Sequence, residues 1–216
     1  MFSSVQTTTP LASRATAAAV EITGLRKQFG NQVVVDDFAL TLAAGSITGL
    51  VGRGKTTVLA MVAGVLPPDD GNVRVFGVDV WSDRPHAMAS TPLDGGPHLD
   101  DPTAWATLTR AAVQQGLDPE EAVLRSWDLL AQVGLSAVAT VRLVDYSPGM
   151  HSRLLLARAL VGRPAVLVLD DLFRGVDDES ARRIRFVLER FVTGGGAVLL
   201  SGEHPHGLCD EVRVLA

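Results

Sequence analysis

Gly52-Arg53-Gly54-Lys55-Thr56-Thr57 is the stretch of this chain best equipped to do chemistry. A strand-like run, Ser46 to Val51, leads into it, and an apolar run, Val58 to Leu66, follows. Strand, Gly-rich turn and helix in that order make a phosphate-binding loop. Backbone N–H groups and the helix N-terminus cradle phosphate, the lysine reaches the outer phosphates, and the hydroxyl holds Mg²⁺. Lys27 and Lys55 are the chain's only lysines, its other strong bases being arginine, so Lys55 stands apart from its background. The spacing G-x-x-x-x-G-K-[ST] is met formally from Gly49, which would make loop of Leu50 and Val51 although both read as the end of a buried strand. Started at Gly52 instead, the loop has Arg53 alone between its two glycines.

A second site for the same chemistry follows. Val166-Leu167-Val168-Leu169 is a continuous apolar run that ends in Asp170-Asp171. Such runs suit strands buried on both faces. An acid at the end of one places a carboxylate near Mg²⁺, and a second acid polarises the attacking water. Two acids capping a strand-to-helix turn is the plain alternative, and the upstream Gly-Lys-Thr-Thr favours the phosphate chemistry.

The elements around these residues alternate. Strands are expected at Ala19–Ile22, Val33–Val35, Phe38–Leu42, Ser46–Val51, Val73–Phe76, Ala165–Leu169, Ala197–Ser201 and Val212–Leu215, with a turn at Asp69–Asn72. The helix from Lys55 should stop near Gly64, before Pro67-Pro68. From Asp94 to about Leu160 the character is helical. Asp118-Pro119-Glu120-Glu121 is a helix start with Asp as N-cap and Pro at the first position. Val123, Trp127 and Leu130 recur on one face, so Trp127 is expected to be a core anchor rather than a ligand platform. Ile184, Val187, Leu188 and Phe191 mark another amphipathic helix. This alternation predicts an α/β fold with a mostly parallel sheet.

Composition bounds the partners. The 216 residues read as one domain, or one with a subdomain, and 47% are hydrophobic. No apolar run reaches the ~18 residues of a membrane span. A formal charge of −5 gives no electrostatic support to general nucleic-acid binding. Cys209 has no second cysteine to pair with, which fits a reducing compartment, and it reads as a small apolar residue. Residues 1–17, rich in Ser, Thr and Ala, read as a disordered leader, with an organelle presequence as the rival.

Taken together, the motifs resemble the ATP-binding subunit of an ABC transporter, over nearly all of residues 18–216. Gln28-Phe29-Gly30 resembles the aromatic loop that stacks on adenine. Gly52 to Thr57 resembles Walker A, and Leu169-Asp170-Asp171 to Asp177 resembles Walker B with the D-loop. Tyr146-Ser147-Pro148-Gly149-Met150 resembles the family signature, and Leu199 to His204 the switch-histidine segment. The resemblance implies a P-loop NTPase core with N-terminal antiparallel strands and a helical subdomain inserted at about 94–160. It implies ATP and Mg²⁺ as cofactors, a head-to-tail homo- or heterodimer of nucleotide-binding domains, a transmembrane permease partner, and a cytoplasmic location on the inner face of the membrane.

Residue by residue, the resemblance makes Phe29 the adenine platform. Gly52, Arg53, Gly54, Lys55, Thr56 and Thr57 become the phosphate loop, and Thr56, Asp170 and Asp94 the Mg²⁺ site. Asp171 becomes the base, with Lys55 also catalytic. Ser147 and Gly149 reach across the dimer, and Asp177 and His204 complete the pocket. Several positions depart from the family pattern. Walker A is three residues short between Gly52 and Gly54. Asp94 stands at the Q-loop glutamine. Pro148 and Met150 replace the signature's first glycine and its glutamine. Asp171 replaces the catalytic glutamate, and Glu203 falls at the switch histidine. Two or three lost phosphate donors would cost roughly 3–9 kcal/mol, or about 10² to 10⁶ in affinity. A degenerate partner that keeps the fold and loses the enzyme is therefore the first rival reading. A soluble, non-transport ABC ATPase is a weaker one, because extended heptads are absent. His204 and His206 read as surface histidines rather than a metal pair.

Overall fold

The computed structural model describes residues 18–81, 89–90, 103–202 and 207–215. Nine strands and five α-helices run in the order β1 (Ala18–Phe29), β2 (Gln32–Ala43), β3 (Ile47–Gly52), α1 (Lys55–Val62), β4 (Asp70–Val75), β5 (Val78–Asp79), β6 (Ala89–Ser90), α2 (Ala104–Gln114), α3 (Pro119–Gln132), α4 (Pro148–Ala159), β7 (Val166–Leu169), α5 (Asp178–Thr193), β8 (Ala197–Ser201) and β9 (Glu211–Leu215), counted among the described residues.

Two sheets organise them. One is antiparallel, ordered β2-β1-β4-β5, and the other is parallel, ordered β6-β7-β8-β3-β9. Side chains alternate across the parallel sheet and fill two apolar cores. Leu167, Leu169, Val198 and Leu200 face the helical side with Leu108, Leu129, Leu130, Leu154 and Ile184. Val166, Val168, Ala197 and Leu199 face α1 and the antiparallel sheet, with Val20, Ile22, Leu42, Leu59 and Val73. The unbroken apolar runs of β7 and β8 follow from this burial on both faces.

Three sequence expectations change. The segments Val33–Val35 and Phe38–Leu42 form one strand, β2, bent at Asp37 (φ 44°) rather than interrupted there. Asp70-Gly71-Asn72, expected as a turn, begins β4, because Asp70 and Asn72 pair with Arg26 and Thr23 of β1. Trp127 is not a core anchor and is 42% exposed. The buried face of α3 is Ala122, Ser126, Leu129 and Leu130. Its one polar member is buried because the Ser126 hydroxyl donates to Ala122 O (2.7 Å) and accepts from Thr109 of α2 (3.1 Å). A satisfied serine can face a core, and the face that packs inward leaves Trp127 outside it.

The start of α3 is as expected. Asp118 accepts from the N–H groups of Glu120 and Glu121, both at 3.0 Å, and Pro119 opens the helix. The other end is held from outside. Arg153 donates to Val133 O and Gly134 O (3.2 and 3.1 Å) and Arg183 donates to Ala131 O (2.9 Å), so side chains of α4 and α5 close the carbonyls that a helix C-terminus leaves open. Asp118→Ala is expected to cost about 1 kcal/mol. In a chain of this size that lowers Tm by about 2–4 °C, read by calorimetry against wild type.

Candidate functional site

β3 remains a strand up to Gly52. Leu50 is fully buried and pairs with Ser201 on one side and Arg213 on the other, and Gly52 still pairs with Leu215. α1 begins at Lys55. The connection is therefore Arg53 and Gly54 alone, and the register that starts at Gly49 is not used. Both flanking glycines are required. Gly52 has φ +100°, and a Cβ there would lie 2.1 Å from Leu215 O. Gly54 has φ +82°, and a Cβ there would lie 2.8 Å from Val34 O of β2. The turn is pinned between the last strand and the first hairpin.

At the helix end of this turn, Gly54 is the N-cap and has no side chain to close the first N–H groups of α1. Those donors and the helix dipole favour an anion. Arg53 and Thr56 are exposed beside them. The Lys55 ammonium folds back and donates to Gly52 O at 2.8 Å.

Residues from far along the chain meet this end. Thr56 Oγ1 donates to Asp170 Oδ2 at 2.6 Å. The Ser201 hydroxyl donates to the other carboxylate oxygen, Oδ1, and accepts from Asp171 N at 3.1 Å. Ser201 is 1% exposed, whereas Asp171 is exposed and sits at φ +46°, a left-handed conformation that aspartate tolerates better than most residues. A hydroxyl and a carboxylate oxygen side by side are hard donors of the kind Mg²⁺ uses when phosphates and water complete its shell. Thr56 and Asp170 are thus brought together across 114 positions, whereas the connection before α1 is a turn of two residues. Ser201 is the residue missed by reading motifs alone; its signal was a polar side chain at the end of an otherwise apolar buried strand.

The remaining expected residues fall in three places. Phe29 ends β1, is 50% exposed, and has the Lys27 ammonium 5.8 Å from its ring centroid. Lys27 is buried and donates to Pro67 O and Asp69 Oδ1, both at 2.7 Å, while Gln28 N donates to Asp69 Oδ2 at 2.7 Å. The bonds from Lys27 and then Gln28 hold the Asp69 carboxyl below the usual carboxylate range. Ser147 is exposed at the start of α4 and caps it by accepting from Met150 N at 3.2 Å. Gly149 is buried, and a Cβ there would lie 2.4 Å from both Asp177 Oδ2 and Ser180 Oγ. Asp177 caps α5 by accepting from Ser180 N at 2.8 Å, and the Ser180 N–H and hydroxyl hold its carboxyl below the usual range. Asp94, Glu203, His204 and His206 lie outside the described residues. Burial, reinforced by Asp210, pushes the Cys209 thiol up to about 11, in keeping with an unreactive apolar residue.

A glycine turn between a parallel strand and a helix, with a threonine hydroxyl against an acid at the end of a neighbouring strand, defines the P-loop class of nucleotide-binding α/β proteins. The chain belongs to the ABC transporter family, whose model matches residues 35–174. It is 32% identical over 207 residues to the Nod factor export ATP-binding protein I of Sinorhizobium fredii, a match that covers 91% of this chain and 60% of that protein. It is 31% identical over 205 residues to the daunorubicin/doxorubicin resistance ATP-binding protein DrrA of Streptomyces peucetius, covering 91% and 61%. The chain thus spans about three fifths of the length of these curated relatives. In fold it is similar to a dimeric ATP-binding cassette in a post-hydrolysis state bound to ADP and Pi. The TM-score is 0.78 at 17% identity, with 91% of this chain and 94% of that one covered. Among the described residues no helix is long and apolar enough to cross a membrane.

The bond between Lys27 and Asp69 generates a pH prediction for the hairpin that carries Phe29. Because the folded-state pKa of Asp69 is depressed, its contribution is present above the ordinary carboxylate pKa and is lost as pH falls through the depressed one. Asp69→Asn is expected to lower Tm at pH 7 and to flatten the decline of Tm between pH 5 and pH 3. Parallel melting curves for wild type and variant would rule this out.

Proposed function

We propose that this chain is the ATP-binding subunit of an ABC transporter. It would pair with a second nucleotide-binding domain, the same chain or a related one, and work against a transmembrane permease from the inner face of the membrane. The observation that carries the reading is the 2.6 Å contact between Thr56 Oγ1 and Asp170 Oδ2, which joins residues 114 positions apart into one end of a nucleotide site. The two relatives, one named for export and one for drug resistance, support a role in export.

Lys55, the free N–H groups of α1, and Arg53 would take the phosphates, with Gly52 and Gly54 permitting the turn and Thr57 extending the helix start. Thr56 and Asp170 would hold Mg²⁺, which supplies charge neutralisation at the phosphates, and Asp94 would stand near it. Asp171 would orient the attacking water, although its side chain is one methylene shorter than glutamate and places that water less well. Phe29 would stack on adenine. Ser147 and Gly149 would face the partner's nucleotide, with Asp177 and His204 beside them. Residues 94–160 would form the helical subdomain that meets the permease.

One observation favours a second reading, a partner subunit that keeps the fold and hydrolyses slowly or not at all. The turn between Gly52 and Lys55 offers far fewer backbone donors than a full-length phosphate loop. Titration of a fluorescent ATP analogue with Mg²⁺ separates the two. The ATP-binding reading expects saturable binding that Lys55→Ala removes. It also expects an insertion of three residues after Arg53 to tighten binding by about 10²-fold. Absence of binding in both the native and the lengthened chain would leave only the structural role.

A further inference from the structure

We propose that Ser201 is a positioning residue for the acid pair at the end of β7. Its hydroxyl is buried and bonded in both directions, donating to Asp170 Oδ1 and accepting from Asp171 N. That double role has two consequences. The bond to Oδ1 fixes the rotation of the Asp170 carboxylate, so that Oδ2 is the oxygen presented to Thr56. The bond from Asp171 N ties down a backbone that sits at φ +46°, in the left-handed region. The two acids follow β7, Thr56 lies in α1, and Ser201 brings in a third element, β8.

A simple strand-end serine has no such geometry to maintain, since β8 already satisfies its backbone through β3 and β7. Without the hydroxyl, as in Ser201→Ala, Asp170 Oδ1 loses its donor in a partly buried position. The presented oxygen, the hydroxyl of Thr56 and the aim of Asp171 therefore depend on a residue that would touch neither nucleotide nor cation. The cation-binding consequence rests on the function proposed above; the positioning of the acid pair does not.

Two measurements test it. In the ligand-free protein, thermal unfolding of Ser201→Ala, Thr56→Val and the double variant forms a cycle. Because both hydroxyls act on one carboxylate, the double variant should lose less Tm than the sum of the single losses. Strict additivity overturns the proposal. In the second measurement the fluorescent ATP analogue is titrated with Mg²⁺ and again in EDTA. Ser201→Ala should weaken the Mg²⁺-dependent binding by about tenfold, leave the metal-free binding unchanged, and be rescued by Ser201→Thr. Equal losses with and without Mg²⁺ would mean a merely structural serine. Should the wild type bind no nucleotide at all, the functional reading falls and the unfolding cycle alone decides the role of Ser201.

Discussion

The pairing of β3 with β8 as far as Leu50 on one side, and with β9 as far as Gly52 on the other, governs the rest of the site. A strand held on both edges cannot give up its last residues to a loop without losing ladder hydrogen bonds and exposing Leu50, which is fully buried. The start of α1 is equally fixed, since Val58, Leu59, Met61 and Val62 are buried in the core beneath the parallel sheet. With both ends immobile, the number of residues between them sets the shape of the turn. Two residues bridge it with positive φ at Gly52 and Gly54, and neither has space for a side chain against Leu215 or Val34.

From that constraint the division of the site follows. Features that depend on strand ends survive, because the parallel sheet lines them up: Asp170 at the end of β7, Ser201 at the end of β8, and Thr56 in the first turn after β3. Their contacts need no loop. The feature that depends on loop length, a concave run of backbone N–H groups, is the one curtailed. Charge distribution agrees with this division. The site keeps an ammonium, a guanidinium and an uncapped helix end for an anion, while the acids collect on the β7 side where a cation would sit.

Much of this was legible from residue types. The apolar runs ending at Asp170 and Ser201 announced strands buried on both faces, and Asp118-Pro119 announced the start of α3 to the residue. The failures have a common physical source in contacts distant along the chain. Trp127 looked like core because its period fits, yet α3 packs inward through Ala122, Ser126, Leu129 and Leu130, and Thr109 of α2 satisfies Ser126 there. Asp70-Gly71-Asn72 has turn composition, but β1 stands ready to pair with it. The ambiguity at Leu50 and Val51 was real in the sequence, because nothing local tells a loop from a strand whose two partners come some 150 residues later. The burial of Gly149 was invisible for the same reason, the space for its missing Cβ being taken by Asp177 and Ser180 at the start of α5.

Lys55 and Thr56 also have partners within the protein. The bond from Lys55 Nζ to Gly52 O at 2.8 Å spans the turn, and Thr56 already has an acceptor in Asp170. Any phosphate must displace the first contact, and any cation the second, so binding is measured against a site that has satisfied itself. Hydrogen bonds to a charged group contribute about 1.5–3 kcal/mol each when well formed, less where solvent competes as it does here. In a longer loop Gly52 O would lie farther from Lys55, and its backbone N–H groups would be free to converge on a ligand. On the function proposed above, the short turn would act twice on affinity, by removing donors from the bound state and by giving the lysine an alternative in the free one. Both effects come from one geometric fact, that two residues join Gly52 to Lys55, and neither alters the strand ends on which Asp170, Asp171 and Ser201 are held.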